Sequence, residues 1–357
     1  MPNRLESIDS NQSADLHNRK KAFRTVADRI QGEDDSMTRT KPLYYRDQQA
    51  WRDLQQFLPE RMRLDDTNSP EEDFWEWRGS TVHLDRYRNP NAAAKVVLHH
   101  GAGTNGRQMS LILGAPLAQR GFETVALDNL GYGLTRVAPG TIPSYDDWVD
   151  LAADFLAYEQ SRDDRPIVLY GLSAGGLLAY HVAAKAPKGT LRGIVGMTFL
   201  DQRIQQVRDE TSHDIVSSRV GIPLMGLLAH TPAAGLRYPM TRASKMSALV
   251  NDKAALRVMT RDKTSGGNTV PVRFLATYAG YVPAVEPKDF DACPVLLTQP
   301  AEDRWTPLHL SELVLSSITK VPVEKVMLEN AGHYPIEEPG LQQMQDAITE
   351  FVTKYTQ

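Results

Sequence analysis

The sequence predicts an α/β protein, with an eight-stranded, mostly parallel sheet, helices on both faces and an inserted helical cap. Two observations predict the sheet. Short apolar segments recur along the chain, as is typical of parallel strands that helices cover on both faces, and helical patterns separate them. A third observation, one long break in this alternation, predicts the cap. The 357 residues suffice for one large domain of this kind with an insertion.

Eight segments from residue 74 onward have the composition of strands, with β-branched and aromatic residues between Gly, Pro or Asn clusters. The first two, at 74–77 and 81–87, alternate polar and apolar side chains, so we expect an antiparallel hairpin. The other six are mostly apolar and are expected to be parallel. They lie at 95–99, 123–127, 167–170, 193–199, 295–298 and 324–328.

The clearest helical pattern begins with a capping box at Ser144 and Asp147, ahead of apolar residues that recur on one helical face. The alternation stops between residues 201 and 290, where Arg, Met and Pro are frequent and strand patterns are rare. We therefore expect a core at 43–200 and 291–357 and a helical cap at 201–290. Residues 1–42 hold few apolar residues and are expected to form a flexible arm.

The charge balance excludes several classes of partner. Lys and Arg total 40 and Asp and Glu total 44, so the net charge of −4 gives no basic field for nucleic acid or anionic membranes. The sequence has no apolar segment of transmembrane length and no signal-peptide pattern, which predicts a cytoplasmic protein without a stable membrane anchor. The single cysteine, Cys293, excludes an intrachain disulfide and is expected to be buried. The oligomeric state is unknown from the sequence.

The strongest motif is GLSAGG at residues 171–176, between an apolar strand and a helical segment. A sharp strand-to-helix turn would expose Ser173 above the sheet as a nucleophile. The helix N-terminus would favour negative charge there, and the N–H of Ala174 could stabilise an oxyanion. The alternative is an ordinary glycine-rich turn in which the serine caps the helix.

The second motif is HHGAG at residues 99–103, at the end of the third strand. In a serine hydrolase this loop would supply the second oxyanion N–H, from Gly101 or Ala102, while His100 supports the loop. The same stretch also matches the dinucleotide fingerprint G-x-G-x-x-G at 101–106, with Asp128 following at a suitable distance. A nicotinamide-binding reductase is therefore an alternative.

Three observations disfavour the nucleotide alternative. The glycine-rich unit comes after a long N-terminal region and a hairpin, whereas a nucleotide-binding fold usually opens with it. No tyrosine is followed by lysine four positions later, as a short-chain reductase would require. The alternative also leaves Ser173 without a role.

A carboxylate and a histidine complete the set. Asp303 follows the seventh strand and could orient a catalytic histidine, although Glu302 and Asp201 lie where they could serve instead. His333 follows the last strand on a glycine-containing loop and could act as the general base. The order Ser173, Asp303, His333 is that of the nucleophile-elbow architecture.

The chain resembles α/β-hydrolase-fold serine hydrolases, the broad group that contains monoacylglycerol lipases, serine aminopeptidases and small esterases. The motifs that carry the resemblance are HHGAG at 99–103, DNLGYGLT at 128–135, GLSAGG at 171–176, EDRWTP at 302–307 and AGHYPIEEP at 331–339. The resemblance implies the α/β-hydrolase fold, the triad and the oxyanion hole at these positions. It does not imply a substrate.

We therefore expect a cofactor-independent and metal-independent serine hydrolase that cleaves a carboxylic ester of a small or lipid-like molecule. Hydrolysis of a carbon–carbon bond, a lactone or an amide by the same triad is an alternative, as is a non-catalytic binding protein of this fold. The expected substrate pocket includes Leu172, Leu224, Leu228 and Trp305. Residues 263–268 are expected to form an exposed turn, either a mobile one near the entrance or a plain surface loop.

Overall fold

An eight-stranded sheet forms the centre of the computed structural model, which describes residues 44–357. The expected arm at 1–42 lies outside these residues. The sheet has the order β1-β2-β4-β3-β5-β6-β9-β10; β1 and β2 are antiparallel to their neighbours and the other pairs are parallel. The strands are β1 (Glu71–Trp77), β2 (Ser80–Tyr87), β3 (Lys95–His99), β4 (Glu123–Leu127), β5 (Ile167–Gly171), β6 (Gly193–Gly196), β7 (Arg237–Pro239), β8 (Thr269–Pro271), β9 (Val295–Pro300) and β10 (Val323–Leu328).

Helices cover both faces of the sheet, because every residue of β3, β4 and β5 is buried although successive side chains point to opposite faces. The predicted fold class is confirmed. The helices are α1 (Ala50–Leu54), α2 (Gly106–Met109), α3 (Ala115–Gln119), α4 (Tyr145–Arg162), α5 (Ala174–Lys185), α6 (Gln205–Thr211), α7 (Ile222–Leu228), α8 (Met240–Ala243), α9 (Lys253–Arg261), α10 (Val272–Gly280), α11 (Leu308–Leu315) and α12 (Gly340–Thr356). A π-helical segment, Ser110–Gly114, joins α2 to α3.

The capping box predicted for α4 is present. The Ser144 hydroxyl accepts from the Asp147 N–H at 3.2 Å, and the Asp147 carboxylate accepts from the Ser144 N–H at 2.8 Å. The apolar face of α4 is buried as expected, with Trp148 and Phe155 at 0% exposure. None of the helices within residues 44–357 combines the length and the apolar character needed to cross a membrane.

Two strand boundaries differ from the expected ones by three residues, and the others agree within two residues. Strand β1 begins at Glu71 and not at residue 74, because its polar residues also pair with β2 and form ion pairs, such as Glu71 with Arg88 at 2.7 Å. Strand β6 ends at Gly196 and not at residue 199. The ring of Phe199 folds back over Gly196, at 2.6 Å from the position that a Cβ would occupy there.

Residues 201–290, the proposed cap, hold α6 to α10 together with β7 and β8, which form a separate two-stranded sheet. These two strands were not predicted from the sequence, because each has three residues and ends in proline, which cannot donate a ladder hydrogen bond.

The 262–268 segment is buried at every residue except Lys263, so the expected exposed turn is wrong. Its polar groups are satisfied by hydrogen bonds to loops of the sheet, which is why they can be buried. The Thr264 carbonyl accepts from the Gly133 N–H at 3.0 Å, and the Thr264 hydroxyl accepts from Asn105 at 3.0 Å and Gln48 at 2.8 Å. The Ser265 hydroxyl accepts from Gln108 at 3.1 Å, and the Asn268 amide donates to the Gly131 carbonyl at 2.8 Å.

Candidate active site

Ser173 lies at the turn from β5 into α5 in a strained conformation, with φ 56° and ψ −120°. Such a positive φ is uncommon for a non-glycine residue. The turn is tight enough that a Cβ on Gly171 would lie 1.8 Å from the Gly175 carbonyl oxygen, and one on Gly176 would lie 1.9 Å from the Thr198 oxygen. The Ser173 side chain makes no capping hydrogen bond to α5. The helix-cap alternative therefore finds no support in this geometry.

Two backbone N–H groups beside Ser173 are free to donate. Ala174 opens α5, and its N–H has no acceptor within the described chain, as is usual for the first turn of a helix. The N–H of Ala102 likewise has no acceptor among residues 44–357, whereas the N–H of Gly101 donates to the Thr104 hydroxyl at 3.0 Å. Of the two candidates in this loop, Ala102 therefore has the available donor.

His100 contacts this loop through one ring nitrogen and the Asn129 backbone through the other. Its Nε2 accepts from the Asn129 N–H at 2.9 Å, so the ring proton lies on Nδ1, which donates to the Gly101 carbonyl at 2.7 Å. Burial lowers the pKa of His100, which keeps the ring neutral in this tautomer. The imidazole thus fixes the peptide unit that carries the Ala102 N–H.

Tyr132 is a supporting residue that the sequence analysis missed. Its hydroxyl donates to the Ala102 carbonyl at 2.8 Å, and its ring packs 5.2 Å from that of His100. The signal was present, since Tyr132 lies within the DNLGYGLT motif at 128–135. The sequence does not indicate which group such a tyrosine bonds, however, because the fold alone brings Tyr132 next to Ala102.

His333 and Asp303 form a buried pair. His333 Nδ1 lies 2.9 Å from Asp303 Oδ2, and both side chains are 0% exposed. Burial would raise the pKa of Asp303, but the charge and hydrogen bond of His333 and the hydrogen bonds of Thr306 lower it to about 2. His333 Nε2 has no hydrogen-bond partner in the described chain. The ring is thus oriented at one nitrogen and available for proton transfer at the other.

The hydrogen bonds around Asp303 fix the carboxylate itself. Its Oδ1 accepts from the N–H groups of Trp305 and Thr306, both at 2.8 Å, and its Oδ2 accepts from the Thr306 hydroxyl at 2.6 Å. The Thr306 hydroxyl also lies 3.1 Å from His333 Nδ1. Thr306 was not among the expected site residues, although it lies within the EDRWTP motif.

The two alternative carboxylates are placed differently. Asp201 accepts hydrogen bonds from the Arg203 guanidinium, the shortest at 2.7 Å. Glu302 is exposed. Of the three acidic residues considered, Asp303 is the one that contacts His333.

Asp128, the acid that the nucleotide alternative requires, is fully buried. Its carboxylate accepts from the N–H groups of Gly106 and Leu134, both at 2.7 Å, and from the Tyr45 hydroxyl at 2.9 Å. The glycine loop is also covered, since a Cβ on Gly103 would lie 2.8 Å from the Met246 sulfur. The arrangement leaves no exposed carboxylate for a ribose hydroxyl at this position.

A cavity of about 110 Å³ opens beside Ser173. The residues Ser173, Ala102, Ala174 and Trp305 line it together with side chains of the proposed cap. Apolar lining residues from 201–290 include Ile222, Met225, Met240, Phe274 and Leu275. The polar ones are Gln202, Thr211, Ser212, Ser217, Tyr238, Arg242, Ser244 and Tyr278.

Three of the four expected pocket residues do not line this cavity, while Trp305 does. Leu172 is buried at 1% exposure and is not part of the lining. Leu224 is 51% exposed, and Leu228 is also outside the lining. The reason is the orientation of α7. Successive residues of a helix point about 100° apart, and Ile222 and Met225 are on the face that lines the cavity, whereas Leu224 and Leu228 are not. The apolar composition of 222–228 could not distinguish these faces.

Glu72, His83 and Asp85 lie close enough together to hold a metal ion. Arg107 already binds this group, with its Nε donating to Asp85 at 2.6 Å and its NH2 lying 3.5 Å from Glu72. Burial would lower the pKa of His83, but hydrogen bonds with Asp128 and Glu72 raise it to about 9. His83 Nε2 lies 2.9 Å from Glu72, and both carboxylates lie beside Arg107, so these side chains form an ion-pair network.

Comparisons with known proteins agree with the fold. The model of a family described as the alpha/beta hydrolase family matches residues 96–342. A soluble variant of monoglyceride lipase from Saccharomyces cerevisiae is 17% identical, with a TM-score of 0.68 over 83% of this chain and 98% of that chain. The monoacylglycerol lipase of Paleococcus ferrophilus is 17% identical, with a TM-score of 0.57 over 77% and 99%. Mouse alpha/beta hydrolase domain-containing protein 10 is 15% identical, with a TM-score of 0.56 over 80% and 99%. No curated protein sequence matches this chain.

Proposed function

This chain belongs to the alpha/beta hydrolase family, and we propose that it is a serine hydrolase that cleaves a carboxylic ester through an acyl-enzyme on Ser173. One observation carries the proposal. Ser173 and the residues with free N–H groups, Ala102 and Ala174, line a single cavity. A nucleophile and two converging donors at one cavity wall are what acyl transfer requires.

In the proposed mechanism, Ser173 Oγ attacks the ester carbonyl carbon while His333 Nε2 takes the hydroxyl proton. The carbonyl oxygen becomes an oxyanion that accepts from the N–H groups of Ala102 and Ala174. As the tetrahedral intermediate collapses, the bond to the alcohol oxygen breaks and His333 returns the proton to the leaving alcohol. Water then attacks the acyl-enzyme by the same steps, and the carboxylic acid and free Ser173 are released.

Asp303 acts by orienting His333. Its hydrogen bond to Nδ1 keeps the ring proton there, so that Nε2 carries the lone pair that accepts the serine proton. The low pKa of Asp303 keeps the carboxylate ionised throughout, which stabilises the imidazolium that forms when His333 is protonated. The N–H groups of Trp305 and Thr306 hold this carboxylate in place.

The cavity supports a substrate with an apolar part. Ile222, Met225 and Phe274 form an apolar wall, and methionine side chains adapt readily to the shape of a flexible ligand. The two structural neighbours named as monoglyceride and monoacylglycerol lipases support ester chemistry, although at 17% identity they establish only a shared fold.

The test is a series of p-nitrophenyl esters, from acetate to palmitate, hydrolysed by the wild type and by Ser173→Ala. We expect the substitution to lower kcat by at least about 10⁴-fold, because the nucleophile is lost while the oxyanion donors remain. Ser316→Ala serves as the matched control, since Ser316 is an exposed serine at the end of α11. Its activity should equal that of the wild type.

Labelling with a fluorophosphonate separates the remaining outcomes. Modification of Ser173 without hydrolysis of any ester would retain the serine mechanism and transfer the search to amide, lactone or carbon–carbon substrates. Failure of both ester hydrolysis and labelling would refute the proposal and favour a binding protein of this fold.

A further inference from the structure

Arg242 is the only charged side chain among the described residues that line the cavity. It lies on α8, is exposed, and makes no hydrogen bond or ion pair with any residue between 44 and 357. A cation at the wall of a largely apolar cavity is a strong constraint on the ligand, because a few polar groups usually fix its orientation.

The carboxylates of the proposed cap are already engaged. All eight acidic side chains between residues 201 and 290 accept a hydrogen bond or pair with another cation. Asp209 pairs with Arg219, Glu210 with His309 and Asp214 with His213, each at 2.8–2.9 Å. The others are Asp201 and Glu286 with Arg203, Asp252 at the start of α9, Asp262 with Thr264, and Asp289 with Lys320. The described part of the proposed cap therefore supplies no counter-ion for Arg242.

Hydroxyl groups surround this part of the cavity. Ser212 and Ser244 pair in an isolated antiparallel bridge, which brings the residues after α8 against the end of α6. Both serines line the cavity with Arg242, and the Ser212 hydroxyl makes no hydrogen bond within the described chain. The Ser244 hydroxyl donates to the Met240 carbonyl at 3.0 Å, which leaves the Arg242 guanidinium and the Ser212 hydroxyl to donate to a ligand. Such a pair of donors is suited to an anion and not to an alkyl chain.

We propose that Arg242 binds an anionic group of the substrate, so that the preferred ester carries a carboxylate away from the scissile bond. This inference rests on the serine hydrolase function proposed above and specifies its substrate class. The planar guanidinium can pair with a carboxylate through two parallel hydrogen bonds. A carboxylate is favoured over a phosphate dianion because one cation matches one negative charge.

The experiment compares mono-4-nitrophenyl suberate with methyl 4-nitrophenyl suberate, in which one methyl group removes the negative charge. The adipate and sebacate pairs cover other lengths. The measured quantity is the ratio of kcat/KM for the acid ester to that for its neutral partner. We expect the ratio to exceed 1 in the wild type, to fall by at least about fivefold in Arg242→Gln, and to be partly retained in Arg242→Lys. Added salt should lower this ratio in the wild type and leave it unchanged in Arg242→Gln.

Arg192→Gln is the matched control, because Arg192 is an exposed arginine beside the start of β6 that makes no side-chain hydrogen bond or ion pair in the described chain. Its ratio should equal that of the wild type. Hydrolysis of the neutral esters reports that each variant is folded. An unchanged ratio in Arg242→Gln at all three lengths would overturn the inference while leaving the serine hydrolase proposal intact.

A binding measurement keeps the two proposals separate if no ester is hydrolysed. Calorimetric titration of Ser173→Ala with monomethyl suberate and dimethyl suberate measures the anion preference without turnover. We expect tighter binding of the monomethyl compound, and we expect the difference to disappear when Arg242→Gln is added. Equal affinities for the two compounds would refute the role of Arg242 whatever the reaction.

Discussion

Replacement of Asp303 by asparagine tests both the catalytic and the structural role of the buried pair with His333. Asparagine has the same size and can still accept from the N–H groups of Trp305 and Thr306, so the fold should be retained. It carries no charge, and its amide could donate to Nδ1 and select the wrong tautomer of His333. We expect kcat to fall by about 10³- to 10⁴-fold.

The pKa of Asp303 gives the expected change in stability. The folded protein lowers this pKa from 3.8 to about 2, so the ionised carboxylate stabilises the fold above the unfolded pKa, and this contribution is lost as pH falls through the folded pKa. A difference of nearly two pKa units corresponds to about 2 kcal/mol at neutral pH. By the same relation, roughly half of that remains near pH 3.

The assay is urea unfolding of the wild type and of Asp303→Asn, measured at several pH values between neutrality and about pH 3. The difference in unfolding free energy between the two proteins at each pH cancels the contributions of the carboxylates that both proteins contain. Asp164→Asn provides the control, because Asp164 is an exposed aspartate without a hydrogen bond or ion pair in the described chain. A difference in unfolding free energy that stays constant with pH, or a variant with wild-type kcat, would refute the assigned role of the pair.

Two further predictions follow from buried groups. Tyr132→Phe removes the hydrogen bond to the Ala102 carbonyl, worth about 1 kcal/mol, so kcat/KM should fall about fivefold in the ester assay. Tyr44→Phe is the control, because the Tyr44 hydroxyl makes no hydrogen bond in the described chain. Equal activity of the two variants would contradict a role of Tyr132 in holding the loop that carries Ala102. Burial raises the pKa of the Cys293 thiol to about 12. Ellman's reagent near pH 8 should therefore label the denatured protein at once and the native protein only slowly. Rapid labelling of the native protein would show that the thiol is accessible.

The apolar pattern predicted the parallel strands well because burial on both faces leaves a local mark in the sequence. The alternation of strands and helices likewise predicted α4 and its cap at Ser144. The start of β1 at Glu71 escaped this reasoning, since its polar residues are held by ion pairs with β2 and not by burial. The strand order, in which β4 lies between β2 and β3, depends on contacts distant in sequence and has no periodic signal.

The candidate site shows the same difference between local sequence patterns, which could be interpreted, and contacts distant in sequence, which could not. Ser173, Asp303 and His333 could be proposed from the sequence because each follows a strand that ends at the same edge of the sheet. The choice between Gly101 and Ala102 needed the hydrogen bond from Gly101 to Thr104, which no local pattern encodes. The lining of the cavity depended on the phase of α7, and Arg242 was not singled out because its importance comes from the lack of a neighbouring carboxylate.

The hydrogen bonds of the 262–268 segment hold this part of the proposed cap against the core. Moving this segment away from the loops beneath it would break the five hydrogen bonds described above, each worth about 1 kcal/mol, so at equilibrium only about one molecule in several thousand would be open there. Residues 213–228, in contrast, form hydrogen bonds only within residues 205–231 in the described chain. Within the proposed cap, the 262–268 segment is therefore held to the core by hydrogen bonds, whereas residues 213–228 form none with the core in the described chain.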